Sequence, residues 1–448
     1  MEEFFRELMS ADALGATVGS FCLILVFVRC KVPLSIAVLV GGGVLGALFG
    51  LSRDQIALAA LRGMFSPGSI GLASITVLLL GLSQSMRGAG QLAEIVKLAK
   101  SLLRRPAIAM GALPALIGLL PMPGGALFSA PMVESAAGEG LESAGRLSAI
   151  NYWYRHIWEH WWPLYPGVLL AVDHTGWPLD AFVLMQIPLG VFMFLGGLVI
   201  FRGLHPDLRV RGASPPAGTK RRLLWNTSSI WIVPLIWGAG TAVAWTSLWA
   251  MGLSRPDVRR IAWLSAAVKY GPLIGGLVIS LLWTSRLNGT GIGGLRRIFA
   301  KPSIYGLVFL VLSIMAFQRV LKATDAGKAM GDELQAMNVA VVVVVAALPF
   351  ISGMVTGLAI GFVGISFPII HDMVTASKDE PMAASYMVLA YACGHIGMML
   401  TPLHVCHVVS NKYFETPFAP VYKRIIPAAC ITLLLGIAYF FVLRALGM

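Results

Sequence analysis

Two stretches of the chain repeat one phrase: HIWEHWWPL at residues 156–164 and HIGMMLTPL at residues 395–403. Each begins with His-Ile, continues for five residues, ends with Pro-Leu, and lies within an apolar segment. Histidine and proline are both unfavourable in a lipid-facing helix, because one is polar and the other interrupts backbone hydrogen bonding. The repetition therefore predicts a duplicated membrane unit with one broken helix in each copy.

The composition is that of a polytopic membrane protein. Of the 448 residues, 57% are hydrophobic and 12% are charged, whereas charged residues make up about 25% of an average soluble domain. Apolar runs of about 20 residues, the length that crosses a bilayer, recur along the whole chain. The net charge of +13 comes from Lys and Arg in short loops between these runs. That pattern is typical of cytoplasmic loops and argues against nucleic acid as a partner.

The apolar runs divide into spanning segments and two candidate hairpins. Ten runs are predicted to span the membrane, at residues 12–29, 32–50, 68–86, 149–171, 180–202, 228–252, 262–284, 302–321, 383–410 and 425–447. Two further runs, 105–133 and 338–370, carry glycine and proline in their middle and are predicted to be re-entrant hairpins. Backbone that turns at membrane depth is tolerated only where protein or a water-filled cavity covers it.

The chain is predicted to be all-α and to consist of two inverted repeats. A basic linker rich in glycine and proline, at 203–224, separates residues 1–202 from residues 225–448. Each repeat contains one hairpin and one broken helix, at 149–171 in the first and at 383–410 in the second. Five spans and one hairpin per half make the copies antiparallel, an arrangement typical of secondary transporters. The basic linker is assigned to the cytoplasm, so both termini are predicted to be extracytoplasmic.

Four backbone breaks, at the two hairpin tips and in the two broken helices, are predicted to meet near the membrane midplane. Helix ends there offer N–H groups to an anion and carbonyl groups to a cation. Glycine lets a substrate approach the backbone, and serine and threonine supply hydroxyl groups. The candidate substrate-binding residues are Pro123, Gly124, Gly125, Ser129, Gly364, Ser366, Thr401 and Pro402. The alternative is that these residues only allow close helix packing, as small residues often do in membranes.

Ionisable residues cluster around the repeated phrase. Such side chains are costly at membrane depth, so Arg155 and Glu159 should be paired or face water, and their spacing allows them to pair with each other. Histidine titrates near neutral pH. The candidates for binding a coupling proton or cation are His156, Glu159, His160, His395, His404 and His407. An alternative for the first broken helix is that its Trp residues and the Arg155–Glu159 pair anchor it at the membrane interface.

One motif points to another class of protein. Residues 156–160 match H-x-x-E-H, a zinc-binding pattern of metallopeptidases. The pattern is short, and a metallopeptidase gives no reason for its partial echo in the second half. The chain also has no G-x-x-x-x-G-K-[ST] motif for ATP. We therefore expect neither an enzyme nor a metal site, and the intramembrane metallopeptidase remains as an alternative.

A resemblance to a known family rests on three runs: PMPGGALFSAP at 121–131, the aromatic run at 151–166, and GMMLTPLH at 397–404. They resemble an uncharacterised prokaryotic integral-membrane family that is similar to members of the ion transporter superfamily. That superfamily includes carriers for citrate, other di- and tricarboxylates, gluconate and arsenite, and sodium/proton antiporters. The resemblance covers nearly the whole chain. It implies an inverted-repeat fold with two re-entrant hairpins and two unwound helices around the site, often in a homodimer that works by an elevator-like movement.

Together these features predict a secondary active transporter in the plasma membrane. The favoured cargo is a small organic anion resembling a carboxylate, moved across the lipid bilayer with H⁺ or Na⁺ as the coupling ion. No other cofactor is expected. A cation/proton antiporter is the alternative within the same class of protein.

Overall fold

The computed structural model describes residues 13–122, 125–138, 140–209, 214–337, 340–377 and 380–448. These residues form an all-α protein, without a β-strand in the described part of the chain, and the predicted fold class is confirmed. The helices before the linker are α1 (Ala13–Arg29), α2 (Leu34–Leu48), α3 (Arg53–Met64), α4 (Pro67–Gly88), α5 (Gln91–Leu102), α6 (Pro106–Gly118), α7 (Gly125–Ala137), α8 (Ala144–Arg155), α9 (Pro166–Thr175) and α10 (Leu179–Gly197).

The helices after the linker complete the chain. They are α11 (Thr219–Ala250), α12 (Arg255–Arg260), α13 (Ala262–Leu287), α14 (Gly291–Phe299), α15 (Pro302–Ala323), α16 (Ala326–Ala336), α17 (Val341–Thr356), α18 (Ala359–Ala376), α19 (Ala383–Leu400), α20 (Val405–Tyr413) and α21 (Phe418–Ala445). Both halves have the same order: a long helix (α4, α15), a connector (α5, α16), a helix pair, an interrupted helix and a final long helix (α10, α21). The antiparallel relation of the two halves remains a prediction.

The helices have the lengths and apolar surfaces of a multi-pass membrane protein. Among the described residues, eight helices are long and apolar enough to cross a bilayer. Large apolar side chains are exposed on several of them, for example Trp249 on α11 and Leu184 on α10, and lipid is the medium that such surfaces require. The predicted spans 12–29 and 32–50 form the shorter apolar helices α1 and α2, which have 17 and 15 residues.

Two helix pairs occupy the predicted hairpin segments. Helix α6 packs on α7, and α17 packs on α18. The second pair turns at Gly357, whose φ of +63° lies in the left-handed region that favours glycine. Helix α18 is long enough to cross a membrane by length and composition. The re-entrant course of both pairs therefore stays a prediction.

Two helices are interrupted at the repeated phrase. Helix α8 ends at Arg155, residues 156–165 are irregular, and α9 begins at Pro166. Helix α19 ends at Leu400 and α20 begins at Val405. Proline suits the first turn of a helix, where its missing N–H is not needed, so Pro166 is well placed to restart the chain as α9. We call residues 156–165 the first gap and residues 401–404 the second gap.

The helices pack in two groups. In the inner group, consisting of α6–α10 and α17–α21, α17 packs on α19, α10 on α21 and α9 on α18. In the outer group, consisting of α2, α3, α4, α11, α13 and α15, α15 packs on α2 and α3, while α13 packs on α4 and α11. Both gaps belong to the inner group. The outer group meets it mainly through α4 and α15.

Candidate substrate cavity

A cavity of about 210 Å³ lies where both helix pairs and both gaps meet. The first pair contributes Met122 and the second contributes Ala359, while Leu79 of α4 and Leu307 of α15 form part of the opposite wall. The polar lining residues are Arg155, His156, Glu159, Tyr165, His404 and Cys406. All of them belong to the inner group, whereas the outer group supplies leucines.

Arg155 places a buried positive charge on this cavity. It is the last residue of α8, and only 4% of its surface is exposed. Its Nη2 donates to the carbonyl oxygen of Met122 at 3.0 Å, while Nε and Nη1 have no hydrogen-bond partner among the described residues. A Cβ at Gly125 would lie 2.3 Å from the guanidinium carbon, so only glycine leaves room for it there. A buried guanidinium with free donors is costly unless an anion or water binds it.

The two gaps bring together the imidazole rings of His156 and His404. Their Nε2 atoms lie 2.9 Å apart. On the other side of each ring, Nδ1 of His156 is 2.6 Å from the carbonyl oxygen of Tyr152, and Nδ1 of His404 is 2.5 Å from that of Gly357. Each ring is thus fixed by a backbone carbonyl and directs its second nitrogen toward the other ring.

Cys406 and Glu159 complete the polar side of the cavity. The Sγ atom of Cys406 and one nitrogen each from His156 and His404 all lie within 4.8 Å of one another. Glu159 reaches between two histidines: its Oε1 is 3.8 Å from Nε2 of His156, and its Oε2 is 3.9 Å from Nε2 of His395. The cysteines show no CxxC spacing in the sequence, which predicts that they are small packing residues, but Cys406 lines the cavity.

Arg155 and Glu159, which the sequence predicts to be paired or to face water, both line the cavity and do not pair with each other. No ion pair joins these side chains in the part of the chain that the structure describes. Residues four apart face each other only on a continuous helix, and α8 ends at Arg155. The same interruption removes the helical spacing that H-x-x-E-H requires, because His156 approaches His404 while His160 packs on His395 at 3.9 Å between ring centroids.

His160, His395 and His407 are buried beside the cavity and do not line it. His160 and His395 pack on each other, and the ring nitrogens of His395 and His407 have no hydrogen-bond partner among the described residues. His407 stacks on Tyr152, with 4.6 Å between centroids and an interplanar angle of 10°. Of these three predicted coupling residues, His395 approaches the carboxylate of Glu159, with 3.9 Å between Nε2 and Oε2.

The first tip contains four of the predicted substrate-binding residues. Pro123 and Gly124 lie outside the described residues. Gly125 contacts Arg155, as given above. Ser129 is fully buried and donates from Oγ to Oδ1 of Asn151 at 2.5 Å. Asn151 in turn donates to Oγ of Ser410 at 2.8 Å, so Ser129 joins α7 to α8 and α20 through a chain of hydrogen bonds.

Neither Gly125 nor Ser129 lines the cavity, and the predicted residues of the second half do not line it either. Gly364 packs on Ile314 of α15, where a Cβ would lie 2.4 Å from the isoleucine side chain. Ser366 donates from Oγ to the carbonyl oxygen of Phe362 in its own helix, at 2.5 Å. Thr401 accepts from the N–H of Leu403 at 3.2 Å, and Pro402 is exposed. These contacts shape the helices and the second gap, and none of the four residues lines the cavity.

The aromatic residues of the first gap satisfy the end of α6. The last carbonyl groups of a helix have no partner within it. Trp158 donates from Nε1 to the carbonyl oxygen of Ala115 at 2.6 Å, and Trp162 donates to that of Leu119 at 3.0 Å. Tyr165 donates to the carbonyl oxygen of Gly118. The tryptophans thus hold the first tip, rather than simply anchoring a helix at the membrane interface.

Sequence reasoning missed Cys406, Tyr165 and Asn151. Cys406 follows His404 by two residues, and this H-x-C spacing in an apolar segment is a signal that could have been read. Tyr165 lies in the gap, one residue before the proline that starts α9. Asn151 is a polar residue at a fully buried helical position, where unpartnered amides are disfavoured, so a partner such as Ser129 was to be expected.

Two solved structures are similar to this chain over almost its whole length. One is the YdaH transporter of Alcanivorax borkumensis, described as having an unusual topology, with 16% identity, a TM-score of 0.56 and coverage of 96% of this chain and 98% of that one. The other is MtrF of Neisseria gonorrhoeae, described with a class of antimetabolite efflux pumps, with 13% identity, a TM-score of 0.46 and coverage of 94% of both chains. The first similarity shows that the chain shares the overall fold of the Alcanivorax borkumensis protein.

Sequence comparison identifies a family and no activity. No curated protein matches the sequence. A family model described as "Protein of unknown function (DUF401)" matches residues 13–214 and 267–443, which is most of the chain. The predicted membership of an uncharacterised membrane family is confirmed, and the chain belongs to this family of unknown function.

Proposed function

We propose that this protein is a secondary active transporter for a small organic anion. The observation that supports this most directly is Arg155, a buried guanidinium on the wall of a central cavity with two donors free among the described residues. Arginine binds a carboxylate through two parallel hydrogen bonds, which favours carboxylates over other small solutes. The apolar walls suit a short carbon skeleton attached to that group.

The polar lining residues of the cavity and its facing leucines come from different helix groups. This arrangement supports transport by movement of one group relative to the other. Every polar lining residue comes from the inner group, and the facing wall includes Leu79 and Leu307 of the outer group. A solute held by the inner group would therefore travel with it past an apolar surface. This is the geometry required for an elevator-like movement, which we propose together with a homodimer in the plasma membrane.

Coupling to H⁺ or Na⁺ is part of the same proposal. Glu159 is a carboxylate on the cavity wall, close to His156 and His395. A negative group at membrane depth is expected to bind a cation or to mark an ion pathway. Glu159 is therefore the residue that we assign to the coupling ion. Its position near Arg155 would link binding of the cation to binding of the anion.

A thermal-shift screen of the detergent-solubilised protein tests the proposal. Organic acids are added with and without Na⁺, because a ligand that binds only the folded state stabilises it by about 2.7 kcal/mol at a concentration of 100 times Kd. At least one carboxylate should raise the melting temperature of the wild type and not that of Arg155→Gln. Arg87→Gln, an exposed arginine on α4, is the control and should respond like the wild type.

Proteoliposomes then distinguish transport from binding. Uptake of the identified acid should follow an imposed H⁺ or Na⁺ gradient and stop when that gradient is collapsed. If no organic acid stabilises the wild type, or if Arg155→Gln responds equally, the anion assignment is wrong.

The geometry also keeps a cation/proton antiporter as a second candidate, because Glu159 lies among histidines on the cavity wall. In that case Na⁺ or K⁺ should release protons from proteoliposomes loaded with a pH-sensitive dye, without any organic acid present. Such a flux, if it is abolished by Glu159→Gln and unaffected by Arg155→Gln, would favour the antiporter.

A further inference from the structure

We propose that His156, His404 and Cys406 form a binding site for one divalent transition-metal ion, of the zinc class, in the wall of the cavity. The site goes beyond the transport proposal and does not depend on it. One ligand comes from the first gap and one from the second, and the third is in the first turn of α20. A metal ion would therefore connect the two halves of the protein.

The hydrogen bonds of the two histidines determine which ring nitrogen of each can bind a metal ion. A carbonyl oxygen can only accept a hydrogen bond, so Nδ1 of His156, facing Tyr152, and Nδ1 of His404, facing Gly357, must both carry the proton. In a neutral imidazole, the other nitrogen is then an acceptor with a free lone pair. An Nδ1–H bonded to a backbone carbonyl, with Nε2 left free, is also the usual arrangement of histidines that bind metals.

The short distance between the two Nε2 atoms indicates that a positively charged partner lies between or beside them. The two Nε2 atoms are 2.9 Å apart, and two free lone pairs at that distance repel each other. A positively charged partner between or beside them removes the repulsion. The candidates are a shared proton and a metal ion, and a metal ion would also use the Sγ atom of Cys406 as a third ligand.

Cys406 provides that third ligand atom. Its Sγ and the nitrogens of His156 and His404 lie within 4.8 Å of one another, and all three residues are buried. Tetrahedral Zn²⁺ with ordinary bond lengths places neighbouring nitrogen and sulfur ligands about 3.3–3.6 Å apart. Small side-chain rotations therefore suffice to close the site. Two imidazoles and a thiolate favour Zn²⁺, Co²⁺ or Cu over Mg²⁺ and Ca²⁺, which prefer oxygen ligands.

Three protein ligands leave one position of a tetrahedral ion open. Glu159 is the nearest carboxylate, with Oε1 3.8 Å from Nε2 of His156. His156, His404 and Cys406 line the same cavity as Arg155, so a solute in that cavity would lie beside the bound ion. A bound metal ion would add a second positive charge there, which favours the same class of anionic solute.

Zinc retention tests the site directly. The protein is produced with an affinity tag that contains no histidine run, stripped with a chelator in detergent, incubated with Zn²⁺ and desalted. Zinc per chain is then measured by mass spectrometry. We expect the wild type to retain about one ion per chain, and Cys406→Ser and His404→Gln to bind zinc at least about tenfold more weakly.

Matched controls use residues of the same types outside the site. Cys393→Ser and His407→Gln change a buried cysteine and a buried histidine that are not among the three ligands, and both should retain zinc. Glutamine at 404 keeps a donor for the carbonyl oxygen of Gly357, so the turn of the second helix pair is preserved. Gel filtration of each variant reports on folding.

Co²⁺ gives a spectroscopic readout of the thiolate ligand. A thiolate bound to Co²⁺ produces a charge-transfer band in the near ultraviolet, and this band should appear in the wild type and in Cys393→Ser and be absent from Cys406→Ser. A wild type that retains no zinc after desalting would overturn the proposal and favour a proton shared by the two histidines. Equal zinc retention in the wild type, Cys406→Ser and His404→Gln would overturn it as well.

Discussion

The two gaps solve the same backbone problem in different ways. In the first half, α6 ends inside the protein, and donors from a ten-residue gap satisfy its carbonyl groups: Trp158, Trp162 and Tyr165. In the second half, α17 ends at Thr356 and is capped by Gly357, whose N–H donates to the carbonyl oxygen of Gly353 and whose left-handed conformation turns the chain. His404 then bonds the carbonyl oxygen of Gly357, and a gap of four residues is sufficient.

The two halves also differ in charge immediately before the repeated phrase. One residue before the repeated His-Ile phrase lies Arg155 in the first half and Gly394 in the second. The ring of Phe362 packs against Gly394, where a Cβ would meet it at 2.4 Å. The second half therefore closes with apolar packing the position that carries the guanidinium in the first half. Under the proposed function, the first half would supply the charge recognition, and the second half would supply shape, His404 and Cys406.

Removing the guanidinium should have the largest effect. We expect Arg155→Gln to slow uptake of the transported acid by about 10–150-fold, because hydrogen bonds to charged groups contribute about 1.5–3 kcal/mol. Arg155→Lys keeps the charge without the planar fork and should fall between the two. Initial rates of uptake into proteoliposomes measure this. An uptake rate of Arg155→Gln within twofold of the wild type would contradict the proposal that the charge of Arg155 recognises the acid.

Close packing in the second half should be the most sensitive structural feature. A Cβ at Gly353 of α17 would lie 2.2 Å from the carbonyl oxygen of Gly394 of α19, and backbone cannot rotate away. Gly353→Ala is therefore expected to lower the free energy of unfolding by about 1–3 kcal/mol. Gly275→Ala on α13, where no atom lies within 4 Å of the new Cβ, should be neutral or slightly stabilising. Thermal unfolding in detergent compares the two, and similar melting temperatures would contradict the packing argument.

The helices and their breaks could be predicted from the sequence because they depend on local patterns of residues. Apolar runs predict the helices, and the repeated phrase with Pro163 and Pro402 predicts where two of them break, since proline cannot continue a helix. The helix pairs α6–α7 and α17–α18 lie within or beside the runs 105–133 and 338–370 for the same reason.

The contacts between side chains of the site could not be predicted from the sequence, because they depend on packing between distant segments of the chain. His156 and His404 are 248 residues apart in sequence, and only the fold brings their Nε2 atoms together. Residue type alone gave Ser129 and Ser366 equal standing, although one bonds across helices and the other bonds within its own. The spacing of Arg155 and Glu159 left pairing and exposure to water both open, and the end of α8 at Arg155 decides against pairing.

The glycines at the two tips separate recognition from backbone strain. Gly125→Ala places a Cβ 2.3 Å from the guanidinium of Arg155, which is flexible and moves aside. Affinity for the acid should therefore fall about tenfold, or about 1.4 kcal/mol. The melting temperature should change little. Gly357→Ala keeps Arg155 in place and strains a residue with φ of +63°, which should cost about 1 kcal/mol of stability. Ligand titration and thermal unfolding of both variants test this, and the reverse pattern would contradict it.

The two matched serines give the smallest and sharpest test of the comparison. Ser129→Ala removes the donor to Oδ1 of Asn151 and leaves that buried oxygen without this partner, at an expected cost of about 1–2 kcal/mol of unfolding free energy. Ser366→Ala removes only a bond to the carbonyl oxygen of Phe362 in its own helix, and should change stability by less than about 0.5 kcal/mol. Because both hydroxyls are fully buried, burial alone predicts equal effects. Equal melting temperatures for the two variants would therefore show that the hydrogen-bond chain from α7 to α8 and α20 contributes nothing specific to the first half.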